Sequence, residues 1–210
     1  MDQLIEDIDR YYTRKLSAHG ATPAGVDWNG EQSQFVRFRE LARILQPQDG
    51  LVINDLGCGY GSLIDYLEAS GFGPYRYQGY DVSSEMIARA KQRYGETPHA
   101  AFARIQSARE MQPADYTLGS GIFNVKMHYP DAEWLAHILE TLAAIDKASR
   151  KGFAFNILTR YSDKEYLKEH LYYADPCFFF DYCKRHYARN VALLHDYGLY
   201  EFTLLVRKQV

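Results

Sequence analysis

The 210-residue chain predicts an α/β fold, a mostly parallel sheet with helices on both faces. Three observations carry that prediction. Short apolar runs at 51–55, 77–81, 101–105, 116–120 and 152–158 read as strands, and segments with helical periodicity lie between most of them. A glycine-rich turn, Asp55-Leu56-Gly57-Cys58-Gly59-Tyr60-Gly61, joins the first strand to a helix carrying Leu63, Ile64 and Leu67. The tail reads as two more strands, 191–195 and 200–207, around Asp196-Tyr197-Gly198. That turn brings the last strand back antiparallel at one side of the sheet.

The elements follow in order. Residues 1–31 read as a helix on Leu4, Ile5, Ile8 and Tyr11 or Tyr12, then a loop ending at Trp28-Asn29-Gly30. A helix from about Gln32 to Leu45 sets Phe35, Phe38, Ala42 and Leu45 on one face, and Pro47 and Gly50 stop it before the first strand. After the second strand a helix begins near Ser83, with Met86, Ile87 and Ala90 inward. The fourth strand leads into Ser120-Gly121-Ile122-Phe123-Asn124. Pro130 and Asp131 open an amphipathic helix on Trp134, Leu135, Ile138, Leu142 and Ile145. Two helices are expected after 152–158: Ser162 with Glu165 makes a capping box, and Asp175-Pro176 places a cap before a proline at the first helical position. Without a repeat or a low-complexity tract, residues 1–210 read as a single domain.

Composition narrows the function. The net charge of −3 and scattered basic residues leave no electrostatic footprint for nucleic acid, so none is expected as a partner. No apolar run approaches the roughly 20 residues of a membrane-spanning helix. The first ten residues lack the basic and apolar regions of a signal peptide, so a soluble, cytoplasmic protein is expected. Cys58, Cys177 and Cys183 make no paired motif and no metal spacing. Tyrosine is over-used, 18 residues, and crowds one late segment. Such rings suit the wall of a small-molecule pocket or the packing of a small helical layer.

The glycine turn points to a nucleoside-containing cofactor. An acid, Asp81, lies 20 residues after Gly61 at the end of the second strand, where a carboxylate can hold both hydroxyls of a ribose. The dinucleotide fingerprint wants glycine at its first, third and sixth positions, but here the sixth is Ser62 and the last glycine comes one place early. Asp55 would also stand near a pyrophosphate and repel it, whereas a cofactor with a cationic end would welcome it. The run Asp55 to Gly61, with Asp81 behind it, resembles the cofactor-binding motifs of class I S-adenosylmethionine (SAM)-dependent methyltransferases. The resemblance extends over about 32–208 and implies a Rossmann-like seven-stranded sheet with one antiparallel strand. It also implies SAM as cofactor and methyl transfer to an acceptor, here a small molecule.

The resemblance further implies roles for residues. Asp55 would face the methionine ammonium; Gly57, Cys58, Gly59 and Gly61 would bring the backbone against the cofactor; Asp81 would clasp the ribose. Val82 would flank the adenine, with Ser107 or Ala108 at its edge and Ser120-Gly121 beside the same crevice. Gln34 or Arg37 would reach the cofactor carboxylate. Candidates for a base are His128, His186 and Tyr173, with Asp175 better explained as a helix cap. Trp28, Asn124, Tyr161, Tyr172 and Tyr182 are candidate acceptor contacts. Residues 1–31 are expected to form a helical cap and 159–188 a substrate lid. No metal site is expected, because no acid follows the fourth strand to pair with Asn124. A protein or RNA methyltransferase and a noncatalytic SAM-binding protein remain as alternatives.

Overall fold

A computed structural model describes residues 2–26 and 30–208 of the chain. Helix α1 (Asp2–His19) is followed by a 3-10 turn at Pro23–Val26 and by α2 (Glu31–Ala42). Then come β1 (Leu51–Leu56), α3 (Ser62–Ala69), β2 (Tyr75–Asp81), α4 (Ser84–Tyr94), β3 (Ala100–Arg104) and β4 (Ala114–Gly119). The chain continues through α5 (Asp131–Ala148), β5 (Ser149–Leu158), α6 (Pro176–His186), β6 (Asn190–Leu194) and β7 (Glu201–Arg207). Trp28 lies outside the described residues. Among the described residues no helix is long and apolar enough to cross a membrane.

The described strands form one seven-stranded sheet in the order β3-β2-β1-β4-β5-β7-β6. Of these only β7 is reversed, running antiparallel to both β5 and β6. β1 pairs in parallel with β2 on one side and β4 on the other, so the strand order turns around between β1 and β4. A crevice opens at the carboxyl ends of such strands.

Burial explains why the strands are so apolar. Every position of β1 and of β4 is buried, as expected when helices cover both faces of a parallel sheet. One face packs α5 and α6 through Trp134, Ile138, Leu142 and Phe179 on Phe153 and Phe155. The other packs α2, α3 and α4 through Leu41, Leu63, Ile64, Leu67, Ile87 and Tyr94 on Ile53 and Tyr77. Each such fully buried side chain contributes about 1.5–3 kcal/mol.

Local signals act largely as the residues suggest. Ser83 caps α4 by accepting from Met86 N, and Asp175 caps α6 by accepting from Cys177 N at 2.9 Å, with Pro176 opening the helix. The helix expected at Ser162–Glu165 does not form. Only a 3-10 turn, Lys164–Tyr166, is present, and the Ser162 hydroxyl instead donates to Thr159 O at 2.7 Å. A capping box needs an apolar stripe to bury, and here Tyr166 and Leu167 stay exposed. The backbone of this segment is used instead in isolated bridges, Thr159 to Ala174 and Leu171 to Val125. The reciprocal capping box forms at Ser107 and Glu110, a stretch whose sequence reads only as the loop after the third strand.

Candidate functional site

The glycine turn owes its shape to backbone angles that side chains resist. Gly57 has φ +72°, and a Cβ there would stand 2.3 Å from Ile122 Cγ2, so the β4 exit rests directly on this glycine. Gly61 has φ +89° and caps α3; a Cβ there would press on the Tyr94 ring at 2.8 Å. The turn is tied to the neighbouring strand through Gly57 N and Cys58 N, which donate to Tyr80 O at 2.7 and 3.0 Å. Asp81 holds it from the other side. Its Oδ2 accepts from Gly59 N and its Oδ1 from Ser83 N, both at 2.9 Å.

Between these walls runs a cleft enclosing about 1060 Å³, counting the part open to solvent. From the glycine turn it is lined by Asp55, Gly57, Cys58, Gly59 and Ser62; from β2 by Asp81 and Val82; from the β3 exit by Gln106, Ser107 and Ala108. Ser120 and Gly121 line it from the β4 exit and Gln34 from α2. The cleft thus gathers most of the residues assigned to the cofactor. Gly61 and Arg37 do not line it. Gly61 serves the helix start, and Arg37 Nε donates to Glu201 Oε1 at 2.7 Å, which turns the guanidinium away from the cleft.

The two acids are held at unusual protonation. Burial pushes the Asp55 carboxyl up to about 7, with the Asp81 charge adding to the effect and a 2.5 Å hydrogen bond from Tyr77 OH opposing it. Burial likewise pushes Asp81 up to about 6, against the hydrogen bonds from Ser83 N and Gly59 N. Asp81, at the end of β2, is thus a buried carboxylate. Burial also pushes the Cys58 thiol well above its ordinary value, which keeps it protonated and poorly nucleophilic.

A ligand would complete this arrangement. The Ser120 Oγ is buried at the cleft wall without a hydrogen-bond partner among the described residues. Two buried carboxylates face the same space, and among the described residues lining it there is no Lys or Arg. A molecule bringing a cation and hydroxyl donors would satisfy all three groups. SAM carries both, so the residues fit it. Among the described residues no three His, Cys, Asp or Glu side chains gather as a metal site.

The residues assigned to the acceptor and to catalysis lie elsewhere. None of Asn124, His128, Tyr161, Tyr172, Tyr173, Tyr182 and His186 lines the cleft. His128 is exposed and stacks on Tyr129 at 4.5 Å. Tyr173 OH accepts from Lys168 N and donates to Tyr166 O within its own loop. His186 stacks on Tyr182 at 4.0 Å with its Nδ1 against Tyr182 O. Tyr172 is core, Tyr161 is exposed, and Asn124 Oδ1 accepts from Leu158 N at 3.1 Å. With only a 3-10 turn in place of its first helix, this segment packs Tyr172 and Phe179 into the core and stacks Tyr182 on Phe178 and His186 outside the cleft.

Other elements add to the wall, with Val26 from the 3-10 turn and Met86 from α4 among the lining residues. Helix α1 presents Ile5, Ile8 and Tyr12, and α5 presents His137 and Thr141 one turn apart. Polar contacts help seat α1: Tyr129 OH donates to Asp7 at 2.9 Å, Arg104 pairs with Asp9 at 3.2 Å, and Thr13 Oγ1 meets Ser83 Oγ at 3.0 Å. Burial pushes His137 down to about 4, so its imidazole is neutral near pH 7. The sequence carried a signal for this histidine. It sits at the margin of the apolar stripe Trp134, Ile138, Leu142, where a polar side chain borders the core.

Comparison with known proteins bears on the family and the fold. The family model "Methyltransferase domain" matches residues 53–148. A Mycobacterium tuberculosis protein, "Putative methyltransferase Rv1506c", is 55% identical over 166 residues, covering 79% of this chain and 98% of the relative. Among solved structures, the DhpI complex with SAH (S-adenosylhomocysteine) aligns over 96% of this chain and 95% of its own, with a TM-score of 0.61 and 16% identity. The magnesium protoporphyrin IX methyltransferase of Synechocystis PCC 6803 with bound SAM aligns over 85% of this chain and 77% of its own, with a TM-score of 0.56 and 17% identity. At such identities the two structures speak for the fold.

Proposed function

The chain belongs to the class I SAM-dependent methyltransferases, and from that premise we propose that it methylates a small-molecule acceptor bound beneath α1. The observation that carries this reading is the character of the cleft wall. Beyond the two acids it is largely apolar, built by Ile5, Ile8, Ile105 and Phe123, and its described lining offers no Lys or Arg to a phosphate backbone.

SAM, when bound, supplies a methyl group made electrophilic by its sulfonium. The chain's own residues then bind, orient and exclude water. Asp55 would take the ammonium and Asp81 the ribose hydroxyls; both Asp81 oxygens already accept one backbone N–H and each retains a lone pair. Ser120 Oγ would gain its missing partner, and Gln34, oriented by donating from Nε2 to Ser62 Oγ at 2.9 Å, would offer its amide. The hydrophobic wall from α1 desolvates whatever lies beneath it. A neutral His137 can accept a hydrogen bond from a hydroxyl but, held near 4, it is a weak base.

The test combines binding with the fate of label. The protein should bind SAH by calorimetry, and with methyl-labelled SAM and a cell extract the label should pass into the small-molecule fraction. Label recovered in protein or RNA would overturn the acceptor class. Tight binding with no transfer to any fraction would favour a noncatalytic role.

A further inference from the structure

One buried carboxylate outside the cleft touches two of its walls. Glu201, at the start of β7, is 1% exposed, and both of its oxygens are engaged. Oε1 accepts from Arg37 Nε at 2.7 Å and from the second guanidinium nitrogen; Oε2 accepts from Asn156 Nδ2. Arg37 and Asn156 are themselves 7% and 0% exposed.

Each arm ends at a cleft wall. Arg37 lies on α2 one turn after Gln34, so the ion pair anchors the helix that brings Gln34 into the cleft. Asn156, on β5, points its Oδ1 at Gly121 N, which donates to it at 2.8 Å. Gly121 has φ +71° and sits between Ser120, whose Oγ lacks a partner among the described residues, and Ile122, which rests on Gly57. The orientation of the asparagine amide follows from charge. A carboxylate only accepts, so Nδ2 must face Glu201 and Oδ1 is left for the Gly121 N–H.

We propose that Glu201 is a positioning residue for the cofactor: through Arg37 and Asn156 its carboxylate sets the placement of Gln34 and of the Ser120-Gly121 turn. The proposal rests on the cleft being the SAM site, which SAH binding by the unaltered protein tests separately. A role in stability alone would be served equally well by any buried arrangement that keeps the melting temperature. A positioning role demands the right polarity at each step of the chain.

That polarity can be broken and repaired. In Asn156→Asp two carboxylates face each other. In Glu201→Gln the new amide keeps its oxygen on Arg37 and turns its NH2 toward Asn156, which flips and sets a donor against Gly121 N–H. In the double variant the introduced glutamine would accept from Arg37 and donate to the introduced aspartate. The second oxygen of that aspartate would accept from Gly121 N–H, and the net charge of the cluster is restored. Calorimetry with SAH at pH 8 should show each single variant weakened by about tenfold or more and the double variant within about threefold of the unaltered protein. Hydrogen exchange at the Gly121 amide should speed up in the singles and slow again in the double. Single variants that lower the melting temperature but keep SAH affinity would overturn the proposal. So would a double variant that binds no better than the weaker single, or that fails to fold. Where a single variant does not fold, the double one decides by the same criteria.

Discussion

Asp55 is buried with a pKa near 7 beside an aspartate near 6, in a cleft whose described lining holds no Lys or Arg. A carboxyl whose pKa is raised on folding contributes stability fully below its ordinary value near 4, and loses that contribution as the pH rises through its folded value. For Asp55 the window runs from about 4 to about 7, and for Asp81 to about 6. The ligand-free protein should therefore melt lower at pH 8 than at pH 5.5 by more than its surface charges explain. Asp55→Asn, which can still accept from Tyr77 OH, should raise the melting point at pH 8, through a gain in stability on the order of 1–3 kcal/mol. The same variant should weaken SAH binding by about tenfold or more through loss of the charge facing the ammonium. A melting point unchanged by Asp55→Asn would mean that the carboxylate is not destabilising where it is. Cofactor affinity carries the opposite pH dependence. If Asp55 takes the ammonium as proposed, SAH affinity should fall by up to about tenfold per unit as the pH drops below 7, and more steeply below 6. Calorimetry in buffers of different ionisation heat counts the protons released on binding, and a count of zero at pH 6.5 would sink this account.

Two elements are candidates to cover the cleft, and they pack differently against it. Helix α1 lies against it with Ile8 and Tyr12 on its wall, seated by Asp7, Asp9 and Thr13. The aromatic segment 159–188 sends Tyr172 and Phe179 into the core and stacks Tyr182 on Phe178 and His186, and none of its residues lines the cleft. Ile8→Glu should thus impair methyl transfer sharply by bringing a charge into an apolar wall, while the sheet melts nearly as before. Tyr173→Ala and His186→Ala should leave cofactor affinity and turnover within about threefold, a difference under ~1 kcal/mol. Phe179→Ala, fully buried under α6, should cost about 3–5 kcal/mol of stability. Parallel melts and turnover assays check all four. Loss of turnover in a well-folded His186→Ala would return the acceptor site to this segment.

At the scale of the molecule, the sheet brings residues distant in sequence to one edge. The reversal of strand order between β1 and β4 opens the cleft, and β7, the antiparallel strand, reaches back beside β5 to deliver Glu201. Ligand binding at such a junction would clamp α1, α2, the glycine turn and the β4 exit together. Saturating SAH should therefore raise the melting temperature of the whole domain in one cooperative step, with a gain of about 2.7 kcal/mol at roughly 100 times the Kd. A separate early transition insensitive to SAH would show that α1 melts apart from the sheet.

The glycine turn, the following acid and the strand–helix alternation were determined by sequence alone, because each depends on local chemistry: glycine at positive φ, a carboxylate at a strand end, apolar period. The helix start near Ser83 and the cap at Asp175 were legible for the same reason. The Ser162 box was equally well formed as a motif, yet no apolar face followed it to be buried, and burial is a tertiary property. Only the folded molecule decided that α1 and α5, not the tyrosine-rich segment, complete the cleft wall. Only it turned Arg37 from the cleft to Glu201, 164 residues away. Both results follow from which side chains find a low-dielectric neighbour. That choice depends on contacts between elements far apart in the chain, and periodicity within one element does not record them.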